Sequence, residues 1–259
     1  MNEIIAPGIQ RATTDKIGLI DADYIKYHVL SKSNPDMTGD EIDKLTQSSI
    51  NQLEDLFNAK ALLYCFTGSH KHNFRTVIAL SKAYKGKRDV GDHRSNLVKA
   101  FVVNYIKERY PTIVYPDLEA DDLLSMLQDK KTFIYSDDKD LNQVPGTHWN
   151  IKQGGFYEVE PKDAFMFLME QMIIGDTVDN VGGLKGYGSI ASDKLLTNRL
   201  LEDIPFAILH EYIKVHESVT IGIDEFVENW ILLKTRINRG AYFKEKYKHA
   251  FNTLNLLKE

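Results

Sequence analysis

Four short apolar runs, residues 17–20 (IGLI), 61–66 (ALLYCF), 112–115 (TIVY) and 132–135 (TFIY), are separated by stretches whose apolar residues recur at helical spacing. Runs of this length suit strands buried on both faces, and the helices between them must cover those faces. Residues 40–58 bring Ile42, Leu45, Ile50, Leu53, Leu56 and Phe57 near one helical face. Residues 95–110 do the same with Leu97, Phe101, Val102 and Ile106, and residues 119–128 with Leu123, Leu124 and Leu127. Strands alternating with helices define the α/β class with a mostly parallel sheet. The runs HWNIK and FYEVE around Gly154-Gly155 predict a hairpin. After Pro161 the strand signals stop, and helices are expected over 165–174, 189–196 and 204–215, with two more towards residue 259. The expected organisation is an α/β part over 1–160 followed by a helical part over 161–259.

The positions of the acids narrow the chemistry. In an open parallel sheet, ligands bind beyond the carboxyl ends of the strands. Asp21 and Asp23 follow the first run; Glu119, Asp121 and Asp122 follow the third after a short turn; Asp137, Asp138 and Asp140 follow the fourth after Ser136. Three strand ends would thus gather like charges in one crevice, which is costly unless cations neutralise them or some acids bind protons. Oxygen-only clusters point to Mg²⁺ or Mn²⁺. Each cluster also has a structural reading. Acids in a first helical turn interact favourably with the helix dipole, which would account for Glu119, Asp121 and Asp122. Asp137 and Asp138 would cap the turn before Lys139. Any one cluster favours that reading; the coincidence at three strand ends reverses the balance.

A fourth pair, Asp176 and Asp179, precedes Gly182, Gly183, Gly186, Gly188 and a helix starting near Ser189. Glycines let the backbone approach a phosphate closely, and a helix N-terminus offers unpaired N–H groups to an anion. A glycine-rich loop alone is usually a turn; directly behind an acidic pair it is more specific.

The net charge of −5 argues against a nucleic-acid partner until its distribution is considered. Residues 70–109 carry ten Lys and Arg against three acids, a net +7, and residues 234–248 a net +5. Basic tracts beside acid clusters suit a phosphate-binding surface around a metal, although an uneven solvated surface would show the same charges. One cysteine, Cys65, excludes an internal disulfide and a cysteine-based zinc cluster. Neither an apolar leader at the N-terminus nor an apolar run long enough to span a membrane is present, so a cytoplasmic protein is expected.

Taken in order, the motifs LIDAD (19–23), NFR (73–75), YKGKR (84–88), LEADDLL (118–124), SDDKDLNQ (136–143) and GDTVDNVGGLKGYG (175–188) resemble those of the 5′-nuclease superfamily. Its members are flap endonucleases, bacteriophage 5′→3′ exonucleases and the 5′-nuclease domain of bacterial DNA polymerase I. The resemblance runs from residue 17 to about residue 196 and is nearest to the phage branch, given the compact size. It implies a PIN-like, Rossmann-like sheet, an arch-like loop at about 85–109, and a helix–three-turn–helix at about 171–197. Asp21, Glu119, Asp121 and Asp122 resemble the family's first metal group, and Asp138, Asp140, Asp176 and Asp179 the second. Lys85 and Arg88 match residues that relatives place beside the scissile phosphate. Arg75, Gly183, Lys185, Gly186, Gly188 and Ser189 fall in DNA-gripping motifs, and relatives usually hold a K⁺ at the helix–three-turn–helix. Tyr84 would stack on an unpaired base or, equally, pack in a core. His70, His72 and His93 are expected at the surface. One departure stands out: many relatives carry a metal-binding aspartate after the second strand, where this chain has Thr67 and Gly68.

The expected function is a structure-specific 5′ nuclease, either a 5′→3′ exonuclease or a flap endonuclease of DNA replication. It would hydrolyse phosphodiester bonds of DNA, or of RNA primers, with two divalent ions. Expected partners are DNA with 5′ ends, flaps or nicks, or an RNA–DNA hybrid, engaged by a monomer in a bacterial or phage-infected cell. Two rivals stay open: a catalytically weak branched-DNA-binding protein of the same fold, and a PIN-type ribonuclease.

Overall fold

The apolar runs do build a parallel sheet. In the computed structural model, which describes residues 10–59, 61–87 and 91–235, they form β1 (Ile17–Asp21), β2 (Ala61–Phe66), β3 (Thr112–Val114) and β4 (Thr132–Tyr135). The expected hairpin adds β5 (Gly146–Asn150) and β6 (Gly155–Val159). The spatial order is β3-β2-β1-β4-β5-β6, parallel throughout except for the β5–β6 pair. The chain therefore steps outward from β1 on one side, then returns to lay β4 against its other side. Such a reversal leaves a crevice at the carboxyl ends of the two central strands.

Between the strands lie α1 (Ala22–Lys32), α2 (Gly39–Leu56), α4 (His93–Arg109) and α5 (Ala120–Leu127). Thr38 and Glu41 cap α2 reciprocally, each side chain accepting a backbone N–H of the other. Successive residues Leu19 and Ile20 of β1 are both buried, so both faces of the sheet are covered. On one face Ile20, Tyr64, Phe66, Phe133 and Tyr135 pack with Ile25, Val29, Ile50, Leu53, Val98 and Val102 of α1, α2 and α4. Each such buried side chain contributes roughly 1.5–3 kcal/mol of transfer free energy. Helix α5 packs against β1 and β2.

The helical part holds α3 (Phe74–Ile78), α6 (Pro161–Ile174), α7 (Ser189–Leu196), α8 (Ile204–His216) and α9 (Val219–Leu233). Its core joins Met169, Met172 and Ile173 of α6 to Ile208 and Tyr212 of α8 and Phe226 and Leu232 of α9. Polar braces close it: the Tyr212 hydroxyl donates to the Met172 carbonyl at 2.7 Å, and Asn229 Nδ2 donates to the Gly182 carbonyl at 2.6 Å.

The chain forms two units that interleave. Within the described residues, one takes in 10–70 and 91–160, the other 71–87 and 161–235. Residues 71–87, read in the sequence as part of a continuous α/β segment, thus belong to the helical unit. Of the segment expected to be arch-like, 85–109, residues 93–109 form helix α4, capped by Asp92, in keeping with the helical spacing read over 95–110. Helix α1 was not anticipated. Its apolar residues Ala22, Ile25 and Val29 make a stripe too short to stand out among Tyr24, Tyr27 and His28. Among the described residues, no helix is long and apolar enough to cross a membrane.

Candidate active-site residues in the two units

Strand β1 ends on Asp21, which also begins α1. Its Oδ1 accepts the backbone N–H groups of Asp23 at 3.0 Å and Tyr24 at 3.3 Å, and its Oδ2 accepts the Ser136 hydroxyl at 2.7 Å. The Ser136 oxygen in turn accepts the Asp138 N–H at 3.1 Å, tying the β4 end to the β1 end. Asp138 Oδ1 accepts the Asp140 N–H at 2.9 Å. Asp23 lies beyond the end of the strand. It lies in the first turn of α1, with its carboxylate 2.8 Å from Lys26. Asp137 sits 3.2 Å from Lys152 of the β5–β6 hairpin, an exposed pair outside the proposed metal set.

Burial sets the electrostatics. Asp21, Glu119, Asp122 and Asp176 are each at most 6% exposed, and carboxylates so buried need compensation. Burial first, then the negative charges of Asp23 and Asp138, push Asp21 from 3.8 up to about 7, against the Ser136 hydrogen bond. The folded chain therefore binds more protons than the unfolded chain between about pH 4 and pH 7, and Asp21 costs stability as pH rises through that window. Asp21→Asn, a neutral isostere, is expected to gain stability over the parent progressively from about pH 4 to 7 and to level off above. Urea midpoints in EDTA would measure this, and a difference flat in pH would show that ionised Asp21 carries no such penalty.

Helix α5 presents the next acids. Asp122 Oδ2 accepts the Glu119 N–H at 3.1 Å, and the Thr67 hydroxyl accepts the Ala120 N–H at 3.0 Å. Thr67 thus completes the start of α5 from the end of β2, a role with no sequence signal. Its neighbour Gly68 has no room for a side chain: a Cβ there would lie 2.0 Å from the Tyr115 carbonyl oxygen. Gly68→Asp is expected to cost about 1–3 kcal/mol or more rather than to restore the aspartate that relatives carry. Thr67→Asp keeps an acceptor for Ala120 and should stay within about 1 kcal/mol of the parent, while tightening Mg²⁺ binding in calorimetry. Equal losses of stability in both variants would show that the end of β2 tolerates no acid.

In the helical unit, α6 is followed by a tight turn in which Gly175–Asp176 pairs with Val181–Gly182. Asp176 Oδ1 accepts the N–H groups of Val178 at 2.8 Å and Asp179 at 3.1 Å. Asp179 Oδ2 accepts the Tyr84 hydroxyl at 2.6 Å and lies 3.6 Å from Lys85 Nζ. The Lys85 N–H donates to the Asp179 carbonyl at 2.8 Å, and Lys85 has a φ of 54°. A non-glycine residue held in that region marks a backbone that its surroundings over-determine. The structure therefore brings Lys85 to the Asp176–Asp179 turn; Arg88 lies outside the described residues.

Arg75 and Tyr84, named as DNA contacts from their motifs, are both buried, and of the two readings of Tyr84 this is the packed one. Tyr84 is buried in the helical core, where its ring cannot stack on a base, and its hydroxyl serves Asp179. Arg75 is also buried, with Nε donating to the Leu232 carbonyl at 2.9 Å and Nη2 to the Lys234 carbonyl at 3.1 Å. It satisfies carbonyls at the end of α9. Lys185, Gly186, Gly188 and Ser189 are exposed as expected, Gly183 is half-buried, and His70, His72 and His93 lie at the surface. Gly186 takes a φ of 86°, and nothing lies within 4 Å of a Cβ at Gly186 or Gly188. Gly188 caps α7 without a side chain, so that helix start is open to an anion.

The donor types fit a hard divalent ion: all are oxygen donors, and four of them, Asp21, Glu119, Asp122 and Asp176, are buried. As the side chains stand, no three His, Cys, Asp or Glu among the described residues converge closely enough to hold one. Asp21, Asp122, Asp138 and Asp176 are turned onto backbone N–H groups, and ligation would require those bonds to be shared or exchanged.

A sheet ordered 3-2-1-4-5-6, followed by helices that flank an acidic, glycine-rich turn, is a fold shared with solved structures of bacteriophage T5 proteins. A bacteriophage T5 protein crystallised with metal ions matches it with a TM-score of 0.59 at 16% identity, over 84% of this chain and 89% of that one. A mutant T5 5′-exonuclease gives 0.55 at 16% identity, over 85% and 88%. The T5 5′-exonuclease with bound zinc gives 0.54 at 15%, over 92% and 98%. At these identities the likeness is one of fold. No family model and no curated protein matches the chain.

Proposed function

We propose that this chain is a divalent-metal-dependent 5′ nuclease acting on DNA with 5′ ends, flaps or nicks, or on RNA–DNA hybrids. The observation that carries this reading is the burial of carboxylates at the strand ends, with Asp21 raised first by that burial and then by the charges of Asp23 and Asp138. Asp21, Glu119, Asp121, Asp122, Asp138, Asp140, Asp176 and Asp179 are the proposed ligands of Mg²⁺ or Mn²⁺. Bound ions would supply Lewis acidity for water and phosphate. Lys85, with Arg88, would counter charge developing on the scissile phosphate. Lys185, Gly186, Gly188 and Ser189 would meet a duplex phosphate at the start of α7, with a K⁺ in the same loop.

A second reading, a branched-DNA binder with little chemistry, has one observation in its favour: Gly68 leaves no space for the acid that relatives carry. A cleavage and binding assay on flap DNA, nicked DNA, an RNA–DNA hybrid and single-stranded RNA separates the readings. The nuclease reading expects cleavage of branched or hybrid substrates with Mg²⁺ or Mn²⁺, and none in EDTA. Binding without cleavage would select the second reading, single-stranded RNA cleavage the PIN-type ribonuclease, and undiminished cleavage in EDTA would sink the metal mechanism.

A further inference from the structure

The turn that carries Asp176 and Asp179 does not support itself. Its ribbon pairs Gly175–Asp176 with Val181–Gly182, two residues a strand, and a two-stranded ribbon of that size is marginal in water. Asp176 caps the turn from inside, and a buried polar relay holds the ribbon from outside. Asn229 of α9 donates from Nδ2 to the Gly182 carbonyl at 2.6 Å and to the Tyr212 hydroxyl oxygen at 2.8 Å. Tyr212 of α8 donates in turn to the Met172 carbonyl at 2.7 Å. The relay therefore joins the last turn of α6, on one side of the acidic turn, to the Val181–Gly182 strand on the other. Asn229 and Tyr212 are 2% and 0% exposed, and polar groups withdrawn that far from water need partners in defined directions. A leucine at 229 would fill a helical core without that demand, so what the amide adds is placement.

The neighbouring residue does the same for the lysine segment. Glu228 Oε1 accepts the N–H groups of Leu80 at 2.8 Å and Ser81 at 2.9 Å, and the Ser81 hydroxyl at 2.9 Å. From there the chain runs on to Ala83, whose carbonyl accepts Asn180 Nδ2 at 2.9 Å, and to Lys85, whose N–H donates to the Asp179 carbonyl at 2.8 Å. Consecutive residues of a helix point about 100° apart, so α9 grips two different segments with one rigid element. We infer that Glu228 and Asn229, the latter with Tyr212, are positioning residues that align Lys85 with the Asp176–Asp179 turn. They act through the backbone of Leu80–Ser81 and of Gly182, and so set where the Lys85 ammonium and the two carboxylates stand. The inference rests on the nuclease reading for the chemistry that these groups perform.

Amide hydrogen exchange in the metal-free protein tests the alignment without reference to cleavage. The reporters are the N–H groups of Lys85, Val178 and Asp179, each bonded across or within the aligned segments. Asn229→Leu and Glu228→Ala are expected to speed their exchange by about tenfold or more. Tyr212→Phe, which leaves the bond to Gly182 in place, should speed it less. Glu228→Gln keeps the accepting oxygen and should exchange like the parent. Ile208→Ala, a truncation in the same core without a polar atom, is the control for lost stability. Parent-like exchange in Asn229→Leu and Glu228→Ala, or the same acceleration in Ile208→Ala at an equal fall in Tm, would overturn the inference. Single-turnover cleavage of flap DNA is the second readout. It should slow by about tenfold in Asn229→Leu and Glu228→Ala, with DNA affinity unchanged, and recover in Glu228→Gln. Weakened affinity with an unchanged rate would also overturn the inference. A parent that cleaves no substrate would sink the nuclease reading alone, and exchange would still decide the alignment.

Discussion

Replacing Asp176 with asparagine is expected to slow cleavage of a flap substrate by about 10³-fold or more while leaving DNA affinity equal or higher. The choice of asparagine follows from the turn. Asp176 Oδ1 accepts the N–H groups of Val178 and Asp179, and an asparagine oxygen can accept both. Alanine would remove that acceptor as well, at a cost of about 1–2 kcal/mol, and would mix a folding defect with a chemical one. Asparagine removes the negative charge alone. A site that gathers carboxylates repels phosphate, so losing one charge weakens ion binding and eases approach of the substrate backbone. Asp138→Asn follows the same logic, since Asp138 Oδ1 accepts the Asp140 N–H. Single-turnover cleavage in Mg²⁺ and equilibrium binding in EDTA give the two readouts. A folded Asp176→Asn protein that loses binding in step with cleavage would assign Asp176 to the architecture of the turn.

A large stability effect is expected at Gly183. A Cβ there would lie 2.3 Å from the Ile173 carbonyl oxygen and 2.5 Å from the Gly175 nitrogen. Gly175 faces the same obstacle in reverse, with its missing Cβ 2.4 Å from the Gly183 nitrogen and a φ of 79°. The obstacles are backbone atoms at the end of α6, which have no rotamer to change. Gly183→Ala should therefore cost about 3 kcal/mol or more, seen as a fall in Tm of roughly 10 °C. Gly188→Ala is the matched control, because its φ is ordinary at −115° and nothing lies within 4 Å of the new methyl. Its stability should stay within about 0.5 kcal/mol of the parent, while duplex binding weakens more than single-strand binding if α7 grips phosphate. Two variants with the same loss of stability would mean that the whole glycine-rich turn is packed rather than presented.

The strands were legible in the sequence because buried parallel strands are nearly continuous apolar runs, and three of the four runs were followed closely by acids. Their spatial order was not legible, since nothing local tells β4 to return to β1. The side chains that organise the acids were hidden for a related reason. Ser136 meets Asp21 across 115 residues, Asn229 meets Gly182 across 47, and Arg75 meets Leu232 across 157. A serine, an asparagine and an arginine carry no periodicity, so only the fold reveals their partners. Tyr84 and Arg75 show the converse. The motif of Arg75 drew attention to it as a surface contact and that of Tyr84 left stacking and packing open, yet one guanidinium and one ring are buried where they hold the end of α9 and the turn. Asp21 shows that a structural and a chemical reading can share one residue: it caps α1 and also stands at the switch between β1 and β4.

The interleaving of residues 71–87 with 161–235 imposes an order on biosynthesis. As the chain emerges from the ribosome, the α/β unit has all its residues once residue 160 is made. By then Phe74, Arg75 and Tyr84 have already been released, but Leu232, Asp179 and the α6–α9 core that receive them have not. A nascent chain halted near residue 160 would therefore display a short apolar segment waiting for its destination, a natural ligand for a chaperone and a ready target for a protease. The same logic governs dissection: a fragment starting at Pro161 lacks the tyrosine that anchors Asp179, and one ending at residue 160 keeps that tyrosine without its anchor. Neither half is a module that can be moved intact to another protein.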